Sequence, residues 1–368
     1  YSLRSLTGGD PKVVRVRRVI DNGESDFTAS GISSGALVDF VNAIQTVGTA
    51  VNGTGSFDNY TVSNLSTTGF SADNSAGGTG SAGFPYVFKD EDVIVVRYTV
   101  TNFSSTSSLS PQVRGVNAIS SVTGKTNSGT AFTANGTYTD TLTATADGTH
   151  LMYADGNTGS YTISDFEIVS HSSSGFVETW YDQSGNSEDA VQETAGSQPK
   201  IVNAGSLVVL SGVPALSFDG SSFVATGFAF SPSGDFLAVT VSKISTGNLL
   251  DTRDGGNDGL FIQQGGSDVK YRYNGDGSID VSGNNQHTIS TVELNGTTLT
   301  AYKDGSSAGT DTVTAGLSTT EALSIGKVAF SSANTVSGSV QEIILYDTDK
   351  SANRAALETN IISHYGIS

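Results

Sequence analysis

Apolar and polar residues alternate in short runs along most of the chain, and the runs predict strands. Val93-Ile94-Val95-Val96-Arg97-Tyr98-Thr99-Val100 is the strongest, with Tyr138–Thr145 and Tyr161–Val169 behind it. Asn-Gly, Asp-Gly and Gly-Gly pairs fall between them, as hairpin turns require. No helical period interrupts residues 43–171, so this stretch reads as a compact antiparallel jelly roll. A second series of strands follows at Ala215–Phe218, Phe236–Ser242, Gly259–Gln263, Val269–Tyr273, His287–Leu294, Thr297–Lys303, Ala322–Ile325 and Val340–Tyr346. Asn295-Gly296 and Asp304-Gly305 mark turns, and the spacing predicts a two-sheet sandwich.

Helical spacing occurs in two places. Ala36–Val41 predicts a short helix with Ser33 or Ser34 as its N-cap. Ala352–His364 predicts a longer one in which Leu357, Ile361 and Ile362 share an apolar face and Arg354 and Glu358, one turn apart, pair on the helix surface. Gly366 stops it. Near the start, Lys12–Ile20 is a basic strand with Val14, Val16 and Arg18 on one face and Val13, Arg15 and Arg17 on the other. It reads as a sandwich rim with solvated arginines, the alternative being a basic docking surface for an acidic partner.

Composition narrows the class. A hydrophobic content of 36% favours thin sandwiches over one thick core. A net charge of −18 disfavours nucleic-acid phosphates and anionic membrane surfaces, and keeps copies apart in solution. The absence of cysteine excludes disulfides and thiolate metal sites, and fits a chain folded in a bacterial cytoplasm. No apolar run is long enough to span a bilayer, and Tyr1-Ser2-Leu3-Arg4 lacks the apolar core of a signal peptide, so release by lysis is expected.

Trp180-Tyr181-Asp182-Gln183-Ser184-Gly185-Asn186 holds the only tryptophan. Several other segments stand with it in a fixed order: Tyr1–Leu6, Val14–Arg18, Asp21-Asn22, Leu37–Val41, Gly175–Asn186, Gln198–Val202, Phe218-Asp219-Gly220, Glu342–Asp347, Asn353-Arg354 and Glu358–Ile361. The ordered set resembles a family of bacteriophage virion proteins whose sandwich is related to fungal arabinofuranosidases, and it covers roughly two-thirds of the chain. The resemblance implies an all-β chain: a concanavalin A-like, laminin-G-like sandwich from residues 1–42 and 172–368, closed by a short C-terminal helix. An inserted jelly roll at 43–171 would be similar to carbohydrate-binding modules. It implies a non-enzymatic structural protein of the virion, made in the host bacterial cytoplasm and exposed on tail or capsid. The expected partners are other virion proteins, further copies of itself and a host-surface glycan, with no nucleic acid and no membrane insertion. A soluble lectin and a glycosidase acting on arabinose-containing or capsular polysaccharide are the alternatives.

The chemistry legible in the residues is thin. Asp182, Glu188 and Asp189 supply carboxylates, but a glycosidase needs two held about 5–5.5 Å or about 6.5–9.5 Å apart, and sequence does not gather them. The arabinofuranosidases set theirs among cysteines and aromatics that have no counterpart here. Asp182–Asn186 reads as a tight turn, with Asp182 accepting backbone N–H groups and Gly185 at positive φ. No catalytic residue is assigned. His150, His171, His287 and His364 show no metal-ligand spacing, no Gly-Xaa-Ser-Xaa-Gly elbow is present, and Ala76–Gly80 lacks the Lys-Ser/Thr of a phosphate loop. No cofactor is required. The resemblance to sugar-binding jelly rolls implies a structural calcium, for which Asp165 and Glu167 are the candidate ligands. Asp251, Asp254 and Asp258 form a second oxygen-rich loop, and solvated turn carboxylates are the alternative for both. Tyr86, Tyr98, Tyr153, Tyr271 and Tyr273 could offer faces to sugars or fill the core, and none is singled out.

Overall fold

The structure, a computed structural model, describes residues 1–52, 61–73, 80–104, 111–114, 125–128, 133–144, 146–155, 159–255, 258–283, 285–314, 316–317 and 319–367. The chain is all-β, with one helix of some length, Ser351–Tyr365, near its end. Strands from both sides of the 43–171 stretch join one hydrogen-bonded system. Lys12–Arg18 pairs with Glu24–Thr28 on one flank and Gly175–Trp180 on the other, which stitches the two sides together. Gly175 stands where the chain returns against the helix Ala36–Val41, and a Cβ there would lie 2.6 Å from Val41 Cγ2. Asn42, at the departure point, accepts the Ser173 N–H at 3.0 Å and donates to the Gly205 carbonyl at 3.0 Å.

The spine of the sandwich is Phe236–Asp251, longer than the predicted Phe236–Ser242. Its first half lies between Thr288–Asn295 and Ser337–Tyr346, and its second half turns to pair with Leu260–Gly265. Phe236–Val241 is apolar almost without alternation because both faces are covered. Phe236 and Ala238 enter the sandwich core, while Leu237, Val239 and Val241 pack beneath the helix against Ile361 and Tyr365. The hairpins turn as their residues predict: Asp304 and Gly305 take φ of 51° and 80°, the paired positive values of a type I′ turn.

The strands of residues 51–172 form two further sheets with their own core. One runs Gly136–Thr143, Val93–Thr101, Ser160–Ser172, Phe70–Asp73, Thr61–Ser63; the other Val51–Asn52, Gly80–Phe88, Gly148–Asp155, Pro111–Arg114, Lys125–Ser128. Strands from Phe70 onward enter these sheets in jelly-roll order. Phe84 of one sheet stacks on Phe166 of the other, centroids 3.9 Å apart at 10°. The predicted strand Tyr138–Thr145 ends at Thr143, and Thr145 and Ala76–Thr79 lie outside the described residues.

Three local expectations need correction. The N-cap of Ala36–Val41 is Gly35 at φ 89°, because Ser33 and Ser34 close a preceding helical turn, Ala29–Ser33, by bonding back to the Ser30 and Gly31 carbonyls. The basic strand does not alternate cleanly: register shifts bury both Val13 and Val14, and Arg17 as well. Arg17 donates to Gln198, Asn22 and the Ala195 carbonyl rather than to water. Its neighbours are paired, Lys12 and Arg15 sharing Asp26 and Arg18 with Asp21, so most of the strand's positive charge is engaged within the fold.

The third concerns the final helix. Arg354 and Glu358 pair as expected, but under the helix instead of on its surface. Arg354 lies 3.6 Å over the Tyr302 ring and 3.9 Å from Glu293, whose carboxylate also accepts the Tyr302 hydroxyl at 3.1 Å. Two buried carboxyls thus share one guanidinium. Burial pushes the Glu358 carboxyl above the ordinary glutamate range, against the opposing pull of Thr291 and Arg354. A carboxyl raised in this way stabilises the fold fully below its unfolded value, and the contribution is lost as pH rises through the folded one. Glu358→Gln, neutral throughout, should therefore melt near wild type at about pH 4 and increasingly above it towards pH 8. Thermal melts across that range test this, and a difference that stays constant with pH would refute it.

Candidate functional site

The Trp180–Asn186 segment borders a groove of about 790 Å³. Trp180 ends the strand Gly175–Trp180 and is fully buried, with the Tyr1 ring 5.9 Å away. Tyr181 then anchors the chain by donating its N–H to the Val13 carbonyl at 3.0 Å and its hydroxyl to Asp26 at 2.7 Å. Asp182 folds the turn. Its carboxylate accepts the Ser184 N–H at 2.8 Å, the Ser184 hydroxyl at 2.7 Å and the Glu188 N–H at 3.3 Å. Asp189 returns the favour by accepting the Asp182 N–H at 2.8 Å, and Gly185 takes φ 90° as expected. Burial raises the Asp182 carboxyl, but these hydrogen bonds outweigh it and hold the group below the usual carboxylate range.

Gln183 builds the adjoining wall. It accepts the Leu6 N–H at 2.8 Å and donates to the Ser2 and Arg4 carbonyls, each at 3.0 Å, which fastens residues 1–6 over the turn. The same segment is bound from beneath by Ser337–Tyr346, through a bridge between Ser2 and Glu342 and the Ile343 N–H to the Tyr1 carbonyl at 2.9 Å. Glu342, almost fully buried, accepts Ser2 Oγ at 2.8 Å, Arg4 Nε at 2.7 Å, Arg4 Nη2 at 2.9 Å and the Tyr365 hydroxyl at 2.9 Å. Phe228 and Tyr346, both part-exposed, supply aromatic surface to the groove with the almost fully buried Phe230 behind them, and Asn360 and Leu357 close it from the helix. Turn, N-terminal segment, last strand and helix thus meet in one place.

The other predicted sites fare differently. Tyr86, Tyr98, Tyr271 and Tyr273 are core residues; Tyr86 bonds to His171 at 2.9 Å and Tyr98 to Asp140 at 2.8 Å. The Tyr153 side chain lies outside the described residues. Asp165 and Glu167 are both exposed at a bulge of the Ser160–Ser172 strand, where Asp165 takes φ 51°. Glu167 pairs with Arg97, and Asp165 accepts the Ser164 hydroxyl at 3.1 Å. Asp251 is buried and paired with Arg253 at 2.5 Å, while Asp254 and Asp258 are exposed. No group of three or more potential metal ligands occurs among the described residues, His171 being held instead between Tyr86 and Asp92. Sequence reasoning missed Phe228 and Phe230, although their spacing in Gly227-Phe228-Ala229-Phe230 could have marked an aromatic edge.

No protein-family model matches the chain, and no curated protein does. Solved structures overlap it loosely. Domains LG4-5 of the mouse laminin alpha1 chain are 13% identical and align with 71% of this chain and 83% of theirs at a TM-score of 0.32. A candidate carbohydrate-binding protein of Bacteroides ovatus is 11% identical, over 74% of this chain and 76% of its own, at 0.31. A heptameric SAP-like pentraxin of Limulus polyphemus is 14% identical, over 38% and 78%, at 0.31. Likeness at this level transfers no ligand, activity or assembly to this chain.

Proposed function

We propose that the chain is a non-enzymatic, carbohydrate-binding building block of a phage particle, exposed on tail or capsid, and that the groove beside Trp180–Asn186 is its glycan site. The observation that carries this reading is the composition of the groove. The part-exposed aromatic side chains Phe228 and Tyr346 line the groove together with carboxylates and an amide from Asp182, Asn186 and Glu188, the combination that holds a sugar by its C–H face and its hydroxyls. The ordered motifs from Tyr1 to Ile361 support the particle setting, with other virion proteins and further copies of the chain as partners. The reading needs no cofactor. A calcium at Asp165 would belong to the jelly roll, where Arg97 already occupies Glu167.

Asn186→Ala, on the exposed turn, and Tyr346→Ala should each weaken a glycan identified on an array by about tenfold, a loss of roughly 1.4 kcal/mol. Titration of both variants against wild type tests the site; an array without hits, or affinities unchanged in both, would end the reading. Mass spectrometry of purified particles tests the setting.

One observation favours the glycosidase reading, namely that Asp182 and Glu188 both line the groove. Against it, a carboxyl held low does not suit a general acid, and the three hydrogen bonds that tie Asp182 to the turn occupy the oxygens a nucleophile would use.

A further inference from the structure

We propose that the turn Asn295-Gly296 is a site of self-modification by deamidation, and that Asp235 is its brake. The chemistry belongs to the chain itself. The Gly296 nitrogen gives its proton to solvent and attacks Asn295 Cγ. The new N–Cγ bond forms a succinimide ring as the side-chain amide leaves as ammonia, and water then opens the ring at either carbonyl to give aspartate or isoaspartate. The reaction needs an amide side chain free to swing back and a following N–H free to lose its proton. Glycine in second place serves it best, because no Cβ obstructs the approach.

Glycine follows asparagine at Asn22, Asn52, Asn135, Asn274 and Asn295, and Gly53 lies outside the described residues. Three of the other side chains are held. Asn22 accepts from Arg17 Nη1 at 3.0 Å, and Asn135 accepts the Phe103 N–H at 2.9 Å. Asn274 accepts the Gly259 N–H at 3.1 Å and donates to the Gly316 carbonyl at 2.7 Å. Asn295 is exposed, and its side chain makes no hydrogen bond among the described residues. Here the nucleophile is held instead: the Gly296 N–H donates to Asp235 Oδ1 at 2.7 Å. A carboxylate binds that N–H by a charge-assisted bond, and by like charge it opposes the amide anion that must form there. The product fits the turn badly. A succinimide nitrogen has no hydrogen for Asp235, and isoaspartate routes the backbone through Cβ, adding a carbon to the short turn that sets Asn295 opposite Thr298. The same hairpin carries Glu293 and Tyr302 beneath Arg354, so a slip of its register reaches the bed of the final helix.

Incubation of the folded protein in mildly alkaline buffer, followed by peptide mass mapping, tests this with the other Asn-Gly pairs as internal clocks. Asp235→Ala should speed the loss of the Asn295 amide by about tenfold, the rate equivalent of one lost hydrogen bond to a charged group. Asn22, Asn135 and Asn274 should stay within about twofold of their wild-type rates. Asp235→Asn, which keeps an acceptor oxygen without the charge, should fall between wild type and Asp235→Ala. Unfolding the wild type in urea should release Asn295 from the brake. An Asn295 rate unchanged or slowed in Asp235→Ala would overturn the proposal, as would equal acceleration at all four asparagines, which marks general loosening. A folded wild type that loses the Asn295 amide as fast as the unfolded chain would overturn it as well.

Discussion

Trp180→Ala should cost about 3–5 kcal/mol of stability, the range for removing a large aromatic from a packed core. Trp180 has no exposed surface, lies opposite Val14 in the pairing of Gly175–Trp180 with Lys12–Arg18, and packs in the main sandwich cluster. Three things depend on it at once: the join between the two sides of the sandwich, the Tyr1 ring, and the start of the Asp182 turn. Its indole N–H has no hydrogen-bond partner among the described residues, so the residue contributes chiefly through its volume. Trp180→Phe, which gives up some volume and an unpaired donor, should therefore cost under about 1.5 kcal/mol. Urea unfolding followed by circular dichroism, not by the fluorescence the substitution removes, would measure both. A Trp180→Ala protein within about 0.5 kcal/mol of wild type would show that the core does not rest on this ring.

Glu342→Ala should be nearly as damaging, at about 3–5 kcal/mol, because it breaks a buried ion pair and leaves the guanidinium behind. The carboxylate serves three donor residues from two parts of the chain: Ser2 and Arg4 near the start and Tyr365 at the end of the helix. Losing it should raise hydrogen exchange in residues 1–6 and 351–365 together, since neither segment keeps its common anchor. Arg4→Met combined with Glu342→Leu should recover a large part of the loss, as an apolar pair of similar volume often replaces a buried charge pair without penalty. Exchange confined to one of the two segments would show that Glu342 does not join them.

Much of the fold was legible because strands announce themselves at short range. The runs at Val93, Phe236 and Thr288 each gave their strand, and the Asp304-Gly305 pair gave its turn. What escaped was decided at long range. Arg17 looked solvated because Gln198 and the Ala195 carbonyl, which hold it, lie far along the chain. Ala29–Ser33 looked unhelical because it contains two serines and a glycine; it forms because Thr28 caps it and Ile32 is buried. The turn at Asp182 was found as a turn, but its groove was invisible, being assembled from residues 1–7, 182–188, 228–230 and 343–360. No local pattern encodes a concavity whose walls come from four distant segments.

Asn42 gives the molecule a seam. Its one side chain clasps the place where the chain leaves the sandwich and the place where it returns, so the sandwich meets everything between as a loop already closed. Closing a longer loop costs little more, about 0.6 kcal/mol for each doubling of length. The jelly roll is thus a cassette: another module with neighbouring ends could be spliced at the same clasp without altering the groove on the Trp180 side.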